Sequence, residues 1–306
     1  MSADAGYDEF GLLPDNAAEA GLPFDRAPAV ARRTFTVGAG QKVSAIHWHS
    51  ALPDLVLLHG GGQNAHTWDT VALALGRPLL AVDLPGHGHS DRRADRDYGP
   101  WRNAEAVASV LDQAHRRWPG RGLVVVGMSL GGVTAIRLAA IRPDLVRRLV
   151  IVDVTPQAHE RHGHLSRADQ GAVALVTGPP VYDSFEQMAA AAVAASPRRP
   201  RSAVERGVRH NSMQLADGRW TWRYDLFDRP QGLTDFASLW ADVASLTMPV
   251  MLVRGGDSKF VADADAARFQ DLQPTARLET VADSGHAVQS DQPLALTRLI
   301  ADFALA

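Results

Sequence analysis

Residues 123–132 read Leu-Val-Val-Val-Gly-Met-Ser-Leu-Gly-Gly, and the reading of this stretch decides the fold. Leu123 to Val126 is an apolar run with no polar face, as in a strand covered on both sides. It enters Gly127-Met128-Ser129-Leu130-Gly131, and a helix-like stretch from Val133 to Ile141 follows. Gly-x-Ser-x-Gly between strand and helix predicts a turn so tight that side chains at 127 or 131 would collide with neighbouring backbone. Ser129 is then strained, with its hydroxyl exposed above a helix N-terminus. A serine in that place is a nucleophile in want of a base. Five residues alone read equally well as an ordinary glycine-rich turn, so the rest of the chain has to decide.

Outward from this stretch the same texture recurs. Unbroken apolar runs lie at Leu55–Leu58, Leu79–Val82, Leu149–Val152 and Val250–Val253, with helical patterns such as Trp101 to Arg117 between them. Arg33–Val37 and Val43–His49 alternate as paired strands, and Ala276–Val281 reads as the last strand. The alternation predicts an α/β fold with a mostly parallel, doubly wound sheet. One interval breaks the rhythm. Between Asp153 and Met248 the chain reads as helices at Arg167–Val176, Phe185–Ala195, Ser202–Arg209 and Phe236–Leu246. We therefore expect a core over 31–154 and 248–306, and a helical cap over 155–247 inserted after the sixth core strand. Trp220, Trp222 and Tyr224 would share one face if extended, better suited to gluing cap to body than to touching substrate. Residues 1–30 are acidic and read as a partly disordered tail, though Phe10, Leu12, Leu13, Leu22 and Phe24 can strap part of it to the body.

Composition narrows the function. Hydrophobic residues make up 46% and charged residues 21% of 306 positions, with a net charge of −3, so no footprint for nucleic acid or anionic lipid appears. The absence of cysteine excludes disulfides, thiolate catalysis and cysteine-bound zinc. No apolar stretch approaches the ~20 residues of a membrane span. The first basic residue is Arg26, which does not suit a secretory start. The expectation is a cytoplasmic monomer or homodimer acting on a small molecule.

A serine hydroxyl needs a histidine to take its proton, and that histidine needs an acid to orient it. Of the twelve histidines only His286 follows the last strand, in the turn Asp283-Ser284-Gly285-His286. His59-Gly60-Gly61-Gly62 closes the strand Leu55–Leu58, placing bare N–H groups at the sheet's carboxyl edge. The N–H groups of Gly61 and Leu130 are the candidate oxyanion hole. A phosphate-binding loop is the competing reading, but no Lys-Ser/Thr follows.

His59-Gly-Gly-Gly-Gln-Asn-Ala-His-Thr-Trp68, Asp83-Leu-Pro-Gly-His-Gly-His-Ser90, Gly127-Met-Ser-Leu-Gly-Gly132 and Ser284-Gly-His286 together resemble the α/β-hydrolase superfamily. Over about residues 33–306 the chain looks closest to mycobacterial and related bacterial serine esterases. The resemblance implies a Ser-His-acid hydrolase with a cap and no metal or organic cofactor. Many relatives carry the acid in a Gly-x-x-Asp or Gly-x-x-Ser-Asp pattern after the strand that here is Val250–Val253. Counted from Gly255 those patterns want aspartate at 258 or 259, where Ser258 and Lys259 stand, and Asp257 is out of register. Asp153, closing the strand Leu149–Val152, is the other candidate and is favoured; Asp83 reads as a structural loop residue.

His66, Gly62, Met128, Trp220 and Trp222 are candidate pocket residues. His159-Glu160-Arg161-His162-Gly163-His164 imitates a zinc motif but has Gly163 where the second histidine belongs. Arg198, Arg199, Arg201, Arg206 and Arg209 form a basic cap face, solvated by default and selective for anionic substrates if functional. The expected activity is carboxylic-ester hydrolysis on a small or medium acyl ester. Lactonase, thioesterase, carbon–carbon bond hydrolase and perhydrolase chemistry share the machinery, and a non-catalytic ligand receptor is the reading from another class.

Overall fold

A computed structural model of the chain describes residues 7–117, 122–158, 180–225 and 236–305. Eight strands form one sheet: β1 (Val30–Val37), β2 (Gln41–Trp48), β3 (Leu55–Leu58), β4 (Leu79–Val82), β5 (Leu123–Met128), β6 (Val146–Val152), β10 (Val250–Gly255) and β11 (Arg277–Val281). Their spatial order is β1-β2-β4-β3-β5-β6-β10-β11. Only β2 runs antiparallel to its neighbours. The order reverses around β3, so the carboxyl ends of β3 and β5 flank a crevice where ligands bind in open α/β sheets.

Alternate residues of each central strand feed two cores. Val125 faces the one built with α3 (Pro100–Arg117), α4 (Leu130–Ile141), α7 (Leu239–Ser245) and α8 (Asp263–Leu272). Val124 and Val126 face the other, built with α2 (Asp69–Leu75) and α10 (Pro293–Leu305). Fully burying each such side chain stabilises by about 1.5–3 kcal/mol. Both faces being covered is why these strands carry no polar alternation. No helix among the described residues is long and apolar enough to cross a membrane.

Two expectations need correction. The chain between β6 and β10 is not purely helical. Besides α5 (Phe185–Ala194) and α6 (Arg201–Asn211) it holds a three-stranded antiparallel sheet of β7 (Val181–Tyr182), β8 (Ser212–Gln214) and β9 (Trp220–Trp222). This insertion has its own small core, in which Tyr182, Trp220 and Trp222 pack on Met188, Ala192, Val204 and Val208. Strands of two and three residues are too short to show a period, and packing between helices and aromatics creates them. The helix expected at Arg167–Val176 and the His159–His164 run lie outside the described residues.

The N-terminal segment is not loose from residue 7 onward. A short helix, α1 (Leu13–Glu19), buries Leu13 and Ala17 against the core beside α2. Polar groups then fasten it to the insertion: the Tyr7 hydroxyl meets His210 Nδ1 at 2.6 Å, Arg206 Nε donates to Asn16 at 2.6 Å, and Arg206 Nη2 donates to Glu19 at 2.9 Å.

Candidate active site

The turn after β5 takes the expected form. Ser129 has φ 51° and ψ −118°, a backbone conformation costing roughly 1–3 kcal/mol for a residue with a side chain. A Cβ on Gly127 would lie 2.2 Å from the Gly131 carbonyl oxygen, and one on Gly131 would lie 2.3 Å from that of Leu58. Glycine is obligatory at both places. The Ser129 N–H donates to Val152 O at 3.1 Å, pinning the serine to the end of β6, whose next residue is Asp153.

Asp153 also has positive φ, 51°, and is 0% exposed. One carboxylate oxygen accepts the Gly255 N–H at 2.9 Å. The other accepts the Ser258 hydroxyl and, at 2.8 Å, His286 Nδ1. A carboxylate only accepts, so His286 carries its proton on Nδ1 and presents a bare Nε2. That Nε2 is buried and has no hydrogen bond to any described residue, Ser129 included. The imidazole lies flat on the Phe260 ring, centroids 3.5 Å apart and planes 10° apart, which fixes its tilt.

Asp257 stands elsewhere. It is about half exposed and forms a 2.6 Å ion pair with Arg198 on the surface. Thus Asp153, which follows the residue that anchors Ser129, is hydrogen-bonded to His286, and the Asp257 carboxylate pairs with Arg198 instead. Ser258 and Phe260 were missed by sequence reasoning. The only signal for Ser258 was its occupation of the register in which relatives carry an aspartate.

The loop after β3 is fastened by two neutral histidines. His59 Nε2 accepts the Leu84 N–H at 2.9 Å while Nδ1 donates to Gly60 O at 2.8 Å. His87 Nε2 accepts the Gly62 N–H at 3.1 Å while Nδ1 donates to Pro85 O at 3.0 Å. Burial holds both imidazoles below their usual range, His87 down to about 3. The Gly60 N–H is taken by Gln63 at 3.1 Å. Gly61 N–H donates to none of the described residues, and Leu130 N–H opens a helix, where no intrahelical partner exists. Asn211 of α6 donates to Gly62 O at 2.7 Å, and Asn64 donates to His210 O at 3.0 Å, so the insertion grips this loop.

The profile of the alpha/beta hydrolase family matches residues 55–299. The chain belongs to that family. It is 50% identical over 296 residues to the esterase Rv0045c of Mycobacterium tuberculosis, covering 96% of this chain and 95% of the relative. A crystal structure of that esterase superposes with a TM-score of 0.84 at 47% identity, over 98% of this chain and 99% of the other. A pimeloyl-[acyl-carrier protein] methyl ester esterase of Aeromonas salmonicida is 29% identical over 267 residues, covering 82% of this chain and 95% of its own length.

In this hydrolase a cavity of about 340 Å³ borders the loop after β3. Of the expected pocket residues, Gly62, His66 and Trp222 line it. Met128 and Trp220 are not among the residues that line this cavity. Met128 is buried in the core beneath Gly60, its sulfur 2.6 Å from where a Cβ there would sit. Trp220 lies one strand repeat from Trp222 and is covered by Phe185 and Arg209.

His66 is held by charge. Its Nδ1 meets Asp69 Oδ2 at 2.8 Å, its Nε2 meets Glu9 at 3.1 Å, and its ring stacks on His210 at 3.8 Å. The ligating atoms of His66, Asp69 and His210 lie within 4.8 Å of one another. Stacked rings, however, direct their in-plane lone pairs along parallel planes instead of towards one point. We read the cluster as an ion-pair network. Burial alone would lower the His66 pKa, but Asp69 and Glu9 outweigh it and raise it to about 9. Its contribution to stability is therefore complete below about pH 6.5 and is lost as pH climbs through about 9. Urea unfolding across that window should show the fall, and His66→Gln should flatten it. An unchanged slope in the variant would remove His66 from this titration.

Proposed function

We propose that the protein is a carboxylic-ester hydrolase acting through an acyl-enzyme on Ser129. The observation that carries this reading is the buried Asp153–His286 hydrogen bond beside a serine in a strained turn. Ser129 Oγ attacks the ester carbonyl and His286 Nε2 accepts its proton. Asp153 keeps the imidazole in the tautomer that can do so and stabilises the imidazolium that forms. The N–H groups of Gly61 and Leu130 receive the tetrahedral oxyanion, each worth ~3–4 kcal/mol in the transition state. His286 then protonates the departing alkoxide, and a water activated by the same imidazole releases the acid. The insertion over 155–247 serves as a cap on this site. That relatives from Mycobacterium tuberculosis and Aeromonas salmonicida are named esterases supports the same chemistry.

Turnover of a p-nitrophenyl ester series graded by acyl length tests the reading, together with fluorophosphonate labelling mapped by mass spectrometry. Sustained multiple turnover and a label on Ser129 are expected. A single stalled acylation would support the receptor reading instead, and a label on another serine would overturn the assignment.

A further inference from the structure

Five arginines occupy positions 198 to 209, and four of them have partners. Arg198 pairs with Asp257 at 2.6 Å and Arg201 with Glu205 at 2.7 Å. Arg206 holds Asn16 and Glu19, and Arg209 lies over the rings of Tyr7, Phe185 and Trp220 at 5.4–5.8 Å. Arg199 differs. Its Nε is buried and donates to nothing, and no described side chain takes its guanidinium by hydrogen bond or ion pair. Gly207 leaves space for it, since a Cβ there would lie 3.8 Å from Arg199 Nη2. A buried guanidinium N–H without an acceptor is unfavourable until one arrives.

Arg199 lines the 340 Å³ cavity. On one side the cavity is walled by Gly61 and Gly62, on another by Gln289 and Asp291 in the segment just after His286. Gly60, next in the loop, rests against the nucleophile: a Cβ on it would be 3.2 Å from Ser129 Cβ. The two carboxyl groups in the wall are answered from elsewhere. Glu19 is engaged by Arg206 and Ser202. Asp291 accepts the Gly285 N–H at 2.9 Å, and burial pushes its carboxyl above the usual range. Asp291 and Glu19 attract Arg199 through space, yet its buried Nε has no hydrogen-bond acceptor among the described residues.

Resting on the ester-hydrolase reading, we propose that Arg199 anchors a carboxylate carried by the substrate. The preferred substrates are then half-esters of dicarboxylic acids, one end free and the other esterified. A guanidinium fork matches a planar carboxylate with two parallel hydrogen bonds. A phosphate dianion would bring a second charge towards Asp291 and Glu19, so a single negative charge is the better fit.

The test compares monomethyl esters of four- to eight-carbon dicarboxylic acids with methyl esters of monocarboxylic acids of equal length, followed by proton release. At the best chain length kcat/KM should favour the half-ester by about 10- to 100-fold, the range of a charged hydrogen-bond pair. In Arg199→Met the ratio of half-ester to neutral ester should collapse towards one, mainly through KM, and Arg199→Lys should restore part of it. A readout independent of turnover is calorimetric titration of Ser129→Ala protein with free adipate or glutarate. Binding is expected, and it should be absent when Arg199→Met is added. Hydrolysis of neutral esters with no half-ester preference, or a preference that survives Arg199→Met, would overturn the anchor and leave the esterase reading standing. Dicarboxylate binding that needs Arg199, with no hydrolysis of either series, would do the reverse.

Discussion

Ser129→Ala should lower kcat for ester hydrolysis by about 10⁶-fold, the loss seen when a serine nucleophile of this kind is removed. The loss is that large because the remaining parts do not substitute for a covalent step. With no attacking oxygen, His286 has no proton to take, and Gly61 and Leu130 can only polarise a carbonyl awaiting water. A residue of ~10³–10⁴-fold over the uncatalysed rate is expected from binding and the oxyanion donors alone. The fold should be untouched, because alanine at 129 keeps the Val152 hydrogen bond and the same backbone angles. Steady-state kinetics on p-nitrophenyl butyrate with a circular dichroism control checks both halves. Activity within a hundredfold of the parent would move the nucleophile elsewhere.

The second large effect separates the two aspartates. Asp153→Asn should lower kcat by roughly 10⁴-fold, whereas Asp257→Asn should change it only a few-fold. At 153 three donors converge on one carboxylate: the Gly255 N–H, the Ser258 hydroxyl and His286 Nδ1. An amide offers one acceptor oxygen for those three and turns an NH₂ group towards at least one of them. His286 is then free to move its proton to Nε2, the tautomer that cannot act as base. Asp257 loses only a half-exposed surface pair with Arg198, a class of interaction worth under ~1 kcal/mol. Parallel pH–rate profiles of both variants decide the matter. Similar mild losses in the two would mean that the orienting acid is a third residue.

What the sequence made legible follows from how local each signal is. The strands β3 to β6 and β10 were readable because burial on both faces leaves an unbroken apolar run, and Ser129 was readable because its turn demands glycines at 127 and 131. Chain order singled out His286, the histidine that the fold hydrogen-bonds to Asp153. The choice between Asp153 and Asp257 was open because nothing beside Asp153 announces its partners, which arrive from residues 255, 258 and 286. The sheet in the insertion was invisible for a different reason: its strands are too short to carry a period, and they exist because Trp220 and Trp222 pack on α5 and α6. The order of the N-terminal segment depends on pairs separated by 203 residues for Tyr7–His210 and 190 for Asn16–Arg206. No window along the chain contains both members.

That last feature shapes how the molecule melts. A strap bonded to the insertion through Tyr7, Asn16 and Glu19, and to the main sheet through Leu13 and the Glu9–Arg32 pair, ties the two layers into one cooperative unit. The upper layer then has no separate melting step of its own while the strap is seated, and calorimetry of the full chain should trace a single endotherm. Trimming the first two dozen residues would uncouple the layers, letting the small aromatic core come apart at a lower temperature than the sheet it covers.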